Sequence, residues 1–148
     1  MATAWQGSPR ERRALDAFIK LVRAGEAVVG RLAPGLAAAG LSVGQFGVLE
    51  LLFHRGPQLA GEIARRILRS GGSVTSVVDH LERRGLVRRV RGEQDRRQVR
   101  VGLTAAGAAL VRRLLPGHVA AIVRQFAVLA AAEQDELGRL CKKVGVQP

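Results

Sequence analysis

Cysteine and aromatic residues are scarce in this chain. Its 148 residues include one cysteine, one tryptophan, four phenylalanines and no tyrosine. The single thiol, Cys141, excludes an internal disulfide and is typical of a protein that works in a reducing compartment. The fold therefore depends on an apolar core, for which a chain of this length is sufficient.

Long apolar runs are scarce as well. No uninterrupted run approaches the roughly 18 residues that a membrane-spanning helix needs. Residues 1–11 carry no apolar segment of the signal-peptide kind. We therefore expect a cytoplasmic protein without a membrane segment.

Acidic residues are few relative to basic ones. Twelve Asp and Glu residues stand against 24 Lys and Arg residues, which gives a formal net charge of +12. Nearly all of the cations are arginines. Such a charge says little about the fold, but it indicates a polyanionic partner, either nucleic acid or an acidic membrane surface.

Catalytic and metal-binding motifs are absent from the sequence. It contains no G-x-S-x-G nucleophile turn, no phosphate-binding glycine loop and no carboxylates at ligand spacing. His54, His80 and His118 are too widely scattered to form a zinc site. The sequence predicts no enzyme, no cofactor and no metal. Cys141 falls on the apolar side of the last predicted helix, which favours a buried structural thiol over a redox sensor.

Helical periodicity dominates the first part of the chain. Residues 1–9 show none and are predicted to form a loose tail. From about Arg10, apolar residues recur every three or four positions until Pro34-Gly35, which should end the first helix. A Ser-x-x-Gln capping box then starts a second helix at Ser42.

Two short helices should follow. The third is predicted over about residues 60–68, and the fourth runs to about Arg84, where Gly85 provides a left-handed cap. The Arg-Ser-Gly-Gly segment at residues 69–72 between them is predicted to be a turn.

After residue 85, apolar residues recur at every second position, as in a β-strand. Residues 86–91 and 98–103 are predicted to form a β-hairpin with a charged loop. Thr104 should cap a long fifth helix that Pro116-Gly117 interrupts, and a last helix covers residues 133–144. The predicted fold class is mainly α with a small β-hairpin (α+β).

The fourth helix has two contrasting faces. Val74, Val77, Val78 and Leu81 follow helical spacing and must face a core. Small polar residues near the helix start and basic residues near its end would suit a DNA major groove. By itself, this pattern is equally compatible with a solvated helix surface. The residues of this polar face and its flanks are Ser73, Thr75, Ser76, Asp79, His80 and Arg83.

Arginine is concentrated in the hairpin that follows. Eight arginines lie between residues 83 and 100, opposed only by Glu93 and Asp95. A surface that was merely soluble would intersperse more acid. An arginine-tipped β-ribbon beside a helix-turn-helix is the winged-helix arrangement, in which the ribbon contacts phosphates or a narrow minor groove. A membrane-docking protein would instead carry such charge on an amphipathic helix.

Three ordered motifs resemble the signature of the MarR family of bacterial transcription regulators. The motifs are the segment from Ser73 to Val87, the Asp95-Arg96-Arg97 triplet, and the run from Leu103 to Gly107. The resemblance spans about residues 10–145. It implies a winged helix-turn-helix with N- and C-terminal dimerisation helices. The implied regions are a tail (1–9), a DNA-binding region (36–103) and a dimerisation region (10–35 and 104–148).

The resemblance also implies which residues bind double-stranded DNA. Asp95 would orient Arg97 within the hairpin, or wing. Asp79 is acidic on a DNA-facing helix, and we expect it to hold a wing arginine. The expected DNA-binding residues are Ser70, Ser73, Thr75, Ser76, His80, Arg83, Arg84, Arg91, Arg96 and Arg97.

A homodimer would set two such helices in successive major grooves of a palindromic operator. A small apolar or anionic effector, for example a phenolic compound, would change their spacing and release DNA. The expected function is therefore a ligand-responsive repressor that recognises DNA by sequence. The alternative is an architectural protein that binds DNA through charge alone, which would not need the Ser, Thr and His face of the fourth helix.

Overall fold

A computed structural model describes residues 4–67, 71–92 and 95–145, with backbone alone at residues 71–73. Ser70, Glu93 and Gln94 lie outside the described residues, as does the side chain of Ser73. The elements in chain order are α1 (Pro9–Ala37), α2 (Val43–Arg55), β1 (Gln58–Leu59), α3 (Ala60–Arg66), α4 (Gly71–Arg83), β2 (Val87–Arg91), β3 (Val99–Leu103), α5 (Ala105–Phe126) and α6 (Ala131–Gly145).

The structure confirms the mainly helical fold with a β-hairpin. The sheet has three antiparallel strands in the order β1-β3-β2. In the hairpin, Val87 pairs with Leu103 and Arg91 pairs with Val99. The sequence analysis missed β1, because a strand of two residues has too little periodicity to be detected.

Side-chain caps begin several of the helices. The Ser8 hydroxyl accepts a hydrogen bond from the Glu11 N–H at 3.3 Å, and the Glu11 carboxylate accepts one from the Ser8 N–H at 2.7 Å. The helix therefore begins inside the predicted tail, at Pro9. The predicted Ser42 capping box is present in α2. In α3, Leu59 gives no side-chain cap, but Glu62 accepts a hydrogen bond from the Leu59 N–H at 2.8 Å.

Three further boundary predictions were wrong. Pro34 lies inside α1, which continues to Ala37. Leu36, in the last turn, is 1% exposed, and its packing offsets the hydrogen bond that proline cannot donate. Pro116 does not interrupt α5, which runs unbroken to Phe126. Finally, Gly71 and Gly72, which were predicted to complete a turn, are the first two residues of α4.

The buried core lies in the winged part of the molecule. It joins α2, α3, α4 and the sheet to the C-terminal end of α1 and the first half of α5. Phe46, Leu49, Ile63 and Leu81 are its largest fully buried members from α2, α3 and α4, each 1% exposed or less. The remainder of α1 and all of α6 contribute no buried residue to it.

Candidate nucleic-acid interface

Helix α4 presents a polar face to solvent. Val74, Val78 and Leu81 are buried and Val77 is half-buried, as their spacing predicted. Thr75, Ser76 and Arg83 are exposed, and His80 is half-buried at the edge of the core. The apolar side is held by α2, α3 and β2. The helix therefore sits firmly on the core, with its hydroxyl side chains outward.

The hairpin projects beside α4 with an arginine-rich tip. The Asp95 carboxylate accepts a hydrogen bond from the Arg97 backbone N–H at 2.9 Å, and the Gln98 carbonyl accepts one from the Gly92 N–H at 2.8 Å. Asp95 thus contacts Arg97, the residue that it was expected to orient, through the Arg97 backbone N–H. Arg91, Arg96 and Arg97 are exposed.

Arg89 joins the hairpin to α4. Its guanidinium contacts the Asp79 carboxylate and the Glu82 carboxylate, each at 2.5 Å. The Glu82 carboxylate also accepts a hydrogen bond from the Arg89 backbone N–H at 3.0 Å. The predicted contact of Asp79 with a wing arginine is thus present, and the sequence analysis left open which arginine makes it.

The charges at this joint stabilise one another. Hydrogen bonds from the backbone and side chain of Arg89 lower the pKa of the Glu82 carboxyl. The hydrogen bond to Asp79, with that to Glu82, raises the pKa of Arg89. The sequence analysis did not single out Glu82, although its position three residues after Asp79 places both acids on one side of α4.

Arg84 has a different environment from the one predicted. Its Nη1 donates to the Gly40 carbonyl at 2.9 Å and its Nη2 donates to the Ala39 carbonyl at 2.8 Å. Both carbonyls follow the end of α1. Two of its donors are therefore used inside the protein, which argues against Arg84 as a primary phosphate contact.

The base of the wing is joined to α5 and to the β1 strand. The Thr104 hydroxyl donates to the Gly85 carbonyl at 2.6 Å and accepts from the Gly107 N–H at 3.1 Å. Arg100 donates to the Pro57 carbonyl at 3.4 Å. The sequence analysis missed the Arg100 contact because it spans 43 residues.

The terminal helices carry apolar residues that are exposed in the part of the chain that the structure describes. Phe18 on α1 and Val123 on α5 are each 61% exposed, and Val128, in the turn between α5 and α6, is 85% exposed. Cys141 is exposed in the single chain, so the prediction of a buried thiol was wrong. It lines a groove of about 540 Å³ between α1, the end of α5 and α6.

Helix α5 is long and apolar enough to cross a membrane, judged by length and composition alone. In the sequence the adjacent Arg112 and Arg113 interrupt the apolar run. One such helix is weak evidence for a membrane segment, because the core helix of a soluble protein passes the same test, and the expectation of a protein without a membrane segment stays a prediction. Only 17% of the most apolar window is buried. Gly107 and Val111, near the start of α5, are buried in the core of the winged region. Helix α5 therefore links this core to the terminal helices with their exposed apolar residues.

A smaller cavity lies where α1 meets α5. It measures about 270 Å³, and its lining includes Leu36, Arg113, His118 and Arg124. The His118 ring is half-buried and packs edge-on against Phe46, with 4.8 Å between ring centroids. Among the residues that the structure describes, no three His, Cys, Asp or Glu side chains cluster as a metal site would require.

An outward polar helix and an arginine-tipped hairpin held together by buried apolar contacts and Arg89 define a winged helix-turn-helix protein. In this class, α4 is the recognition helix and the hairpin is the wing. The geometry is that of a protein that binds duplex DNA.

Comparison with known proteins gives the family. The profile of the MarR family matches residues 41–99. The HTH-type transcriptional regulator MhqR of Bacillus subtilis is 34% identical over 134 residues, which cover 90% of this chain and 92% of MhqR. The regulator YkoM of the same organism is 41% identical over 107 residues, 72% of this chain and 70% of YkoM. The chain belongs to the MarR family, whose members are transcription regulators and not enzymes.

Solved structures agree with this assignment. Sco3205 of Streptomyces coelicolor, a MarR family regulator crystallised in complex with DNA, is 27% identical with a TM-score of 0.84, covering 97% of this chain and 92% of Sco3205. CouR of Rhodococcus jostii RHA1, bound to p-coumaroyl-CoA, is 25% identical with a TM-score of 0.82, covering 90% of this chain and 94% of CouR. The chain is therefore similar along most of its length to a DNA-bound regulator and to a ligand-bound one.

Proposed function

We propose that this regulator is a cytoplasmic homodimer that represses transcription by occupying a palindromic operator, and that a small ligand releases it. The observation that carries the proposal is the exposed hydroxyl face of α4, which Arg89 holds beside an arginine-rich wing. A binder that relied on charge alone would need the arginines but not this face.

The proposed DNA contacts divide into two kinds. Thr75, Ser76 and His80 lie along α4, where they would reach base edges in the major groove. Arg83 at the helix end and the wing arginines would bind phosphates or the minor groove. The wing arginines of this second set are Arg91, Arg96 and Arg97. The role that the sequence assigned to Ser70 and Ser73 stays a prediction.

The exposed apolar surface of the terminal helices supports a homodimer. Phe18, Val22 and Val29 on α1 and Val119 and Val123 on α5 are each at least 40% exposed. Exposed apolar residues on two helices that pack together mark an interaction site. A second copy of the chain would cover it and place two recognition helices about one turn of DNA apart.

A ligand site between the dimerisation helices and the winged region is the second part of the proposal. The cavity at the α1–α5 junction has an apolar wall from Leu36 and basic residues Arg113 and Arg124 at its lining. This combination suits a small aromatic or aliphatic anion. CouR binds p-coumaroyl-CoA, and 6-hydroxynicotinic acid regulates DNA binding by BpsR of Bordetella bronchiseptica. Such a ligand would release DNA to the extent that it prefers the non-binding geometry.

Fluorescence anisotropy tests the proposal. The purified protein is titrated against the DNA upstream of its own gene and against a scrambled duplex, at several salt concentrations. We expect saturable binding of one dimer per site to the upstream DNA only. Equal binding to both duplexes would favour the architectural protein instead, and no binding to either would contradict a role at this promoter.

A further inference from the structure

Arg84 connects two helix ends that are far apart in sequence. It follows α4 directly, and its guanidinium donates to the Gly40 and Ala39 carbonyls at 2.9 and 2.8 Å, after the end of α1. Helix α1 packs mainly on α2 and α5, whereas α4 packs mainly on α2, α3 and β2. Arg84 is therefore a direct tie between the recognition helix and α1.

The end of α1 is electrostatically suited to this contact. Helix C-termini carry partial negative charge on carbonyls that lack intrahelical partners, and a cation there is stabilising. Helix α1 has no basic residue in its own last turn. Arg84 supplies the cation from a distant part of the chain, and its planar fork spans two neighbouring carbonyls, which an ammonium group would do less well.

Both helix ends that Arg84 joins have a defined backbone. Gly40 and Gly85 adopt positive φ angles of 68° and 70°, in the left-handed region that glycine tolerates. Hydrogen bonds from the Leu41 N–H to the Leu36 carbonyl and from the Leu86 N–H to the Leu81 carbonyl close the two turns. Because the leucines on both sides of each turn are buried, movement of one helix end would be transmitted through Arg84 to the other.

We propose that Arg84 is a positioning residue that sets the orientation of the recognition helix relative to α1. The N-terminal part of α1 exposes Phe18, Val22 and Val29, while Leu32 and Leu36 near its end are buried. Helix α1 thus runs from the proposed dimer interface to the Arg84 contact. The inference rests on the proposed homodimer, since only in a dimer does the α1–α4 angle set the distance between two recognition helices.

The test compares Arg84→Met with Arg83→Met, which removes the same charge from the adjacent position. Each protein is titrated against the palindromic operator and against the same duplex with one half-site scrambled. For Arg84→Met we expect at least about a fivefold loss on the palindrome, about twofold or less on the single half-site, and an unchanged salt slope. For Arg83→Met, a lost phosphate contact should weaken binding to both duplexes and reduce the salt slope by about one.

Equal losses of affinity on both duplexes with a reduced salt slope would show that Arg84 binds phosphate. If Arg84→Met bound both duplexes with the affinity of the wild type, Arg84 would have no positioning role. Either result overturns the inference. Arg84→Lys, which keeps the charge but not the two-carbonyl fork, serves if Arg84→Met does not fold, and should show the same loss confined to the palindrome.

A measurement without DNA separates this inference from the proposed function. Nitroxide labels at Ser76→Cys, in a Cys141→Ser background, report the distance between the two recognition helices of a dimer by pulsed EPR. We expect a broader distance distribution in the Arg84→Met variant than in its parent. A distribution of the same width in both proteins would contradict the role of Arg84. The proposed function would be contradicted instead if the parent protein were a monomer, or if it bound the palindrome no better than the single half-site.

Discussion

Replacing Gly107 with alanine should disrupt the joint between the wing and α5. A Cβ atom added at Gly107 would lie 2.0 Å from the Leu86 carbonyl oxygen and 3.1 Å from Leu103 Cδ2. Ordinary contacts of a Cβ atom begin near 3.4 Å, so the backbone of one segment must move by about 1 Å or more. The obstacle is a carbonyl oxygen, which cannot rotate away as a flexible side chain would.

The movement has a cost that follows from the contacts at this point. Overpacking in a close-packed region costs about 1–3 kcal/mol. The Leu86 carbonyl also accepts a hydrogen bond from the Thr104 N–H at 3.1 Å, and its loss adds about 1 kcal/mol. We therefore expect Gly107→Ala to lower the free energy of unfolding by about 2–4 kcal/mol. For a chain of this size this corresponds to a melting temperature lower by about 5–15 °C.

Thermal unfolding followed by circular dichroism measures this effect. Variants are compared at one protein concentration, because dimerisation makes the melting temperature depend on concentration. Gly61→Ala is the matched control, since an added Cβ there meets no atom within 4 Å and alanine favours a helix by up to about 1 kcal/mol. The reasoning is refuted if Gly107→Ala melts at the wild-type temperature, or if both variants lose stability equally.

Three further predictions concern the wing and the terminal helices. Because Arg89 lowers the Glu82 pKa below its ordinary value of 4.5, the stabilisation is present above that value and is lost as the pH falls through the lower folded pKa. The urea midpoint of the wild type should therefore decrease more steeply than that of Glu82→Gln between pH 6 and pH 3, and parallel curves would exclude this contribution. Arg96→Ala and Arg97→Ala should each reduce the slope of log affinity against log salt by about 0.9, measured by anisotropy, and unchanged slopes would mean that the wing tip does not touch phosphate. Val123→Glu, at a position that is 61% exposed, should shift the protein from dimer to monomer in analytical ultracentrifugation without unfolding it, and an intact dimer would exclude this part of α5 from the interface.

Several features of the fold could be predicted from the sequence because they depend on neighbouring residues. The Ser42 capping box, the left-handed Gly85 cap and the two hairpin strands were predicted from local signals, although the burial of residues along the strands does not alternate. The burial of Val74, Val78 and Leu81 follows from helical spacing in the same way. The same spacing shows which residues of α4 point away from the core, and the sequence shows that the hairpin is rich in arginine. The class of protein could therefore be predicted as well.

Other features were decided by tertiary contacts. Proline normally ends a helix, yet α1 continues past Pro34 because Leu36 packs into the core. The two-residue strand β1 exists because β3 offers it a partner. Cys141 follows an apolar spacing but is exposed in the single chain, where none of the described residues of α6 is buried.

The contacts of the arginines show the same division. Composition and spacing determined that this protein has an arginine-rich wing beside a recognition helix. Only the folded chain determined that Arg89 joins the wing to Asp79 and Glu82, whereas Arg84 turns to the carbonyls after α1, 44 residues away from Gly40. An arginine side chain is long and flexible enough to reach many partners. Its partner is therefore decided by which acceptors the packing of the helices brings within reach, and no local pattern in the sequence contains that information.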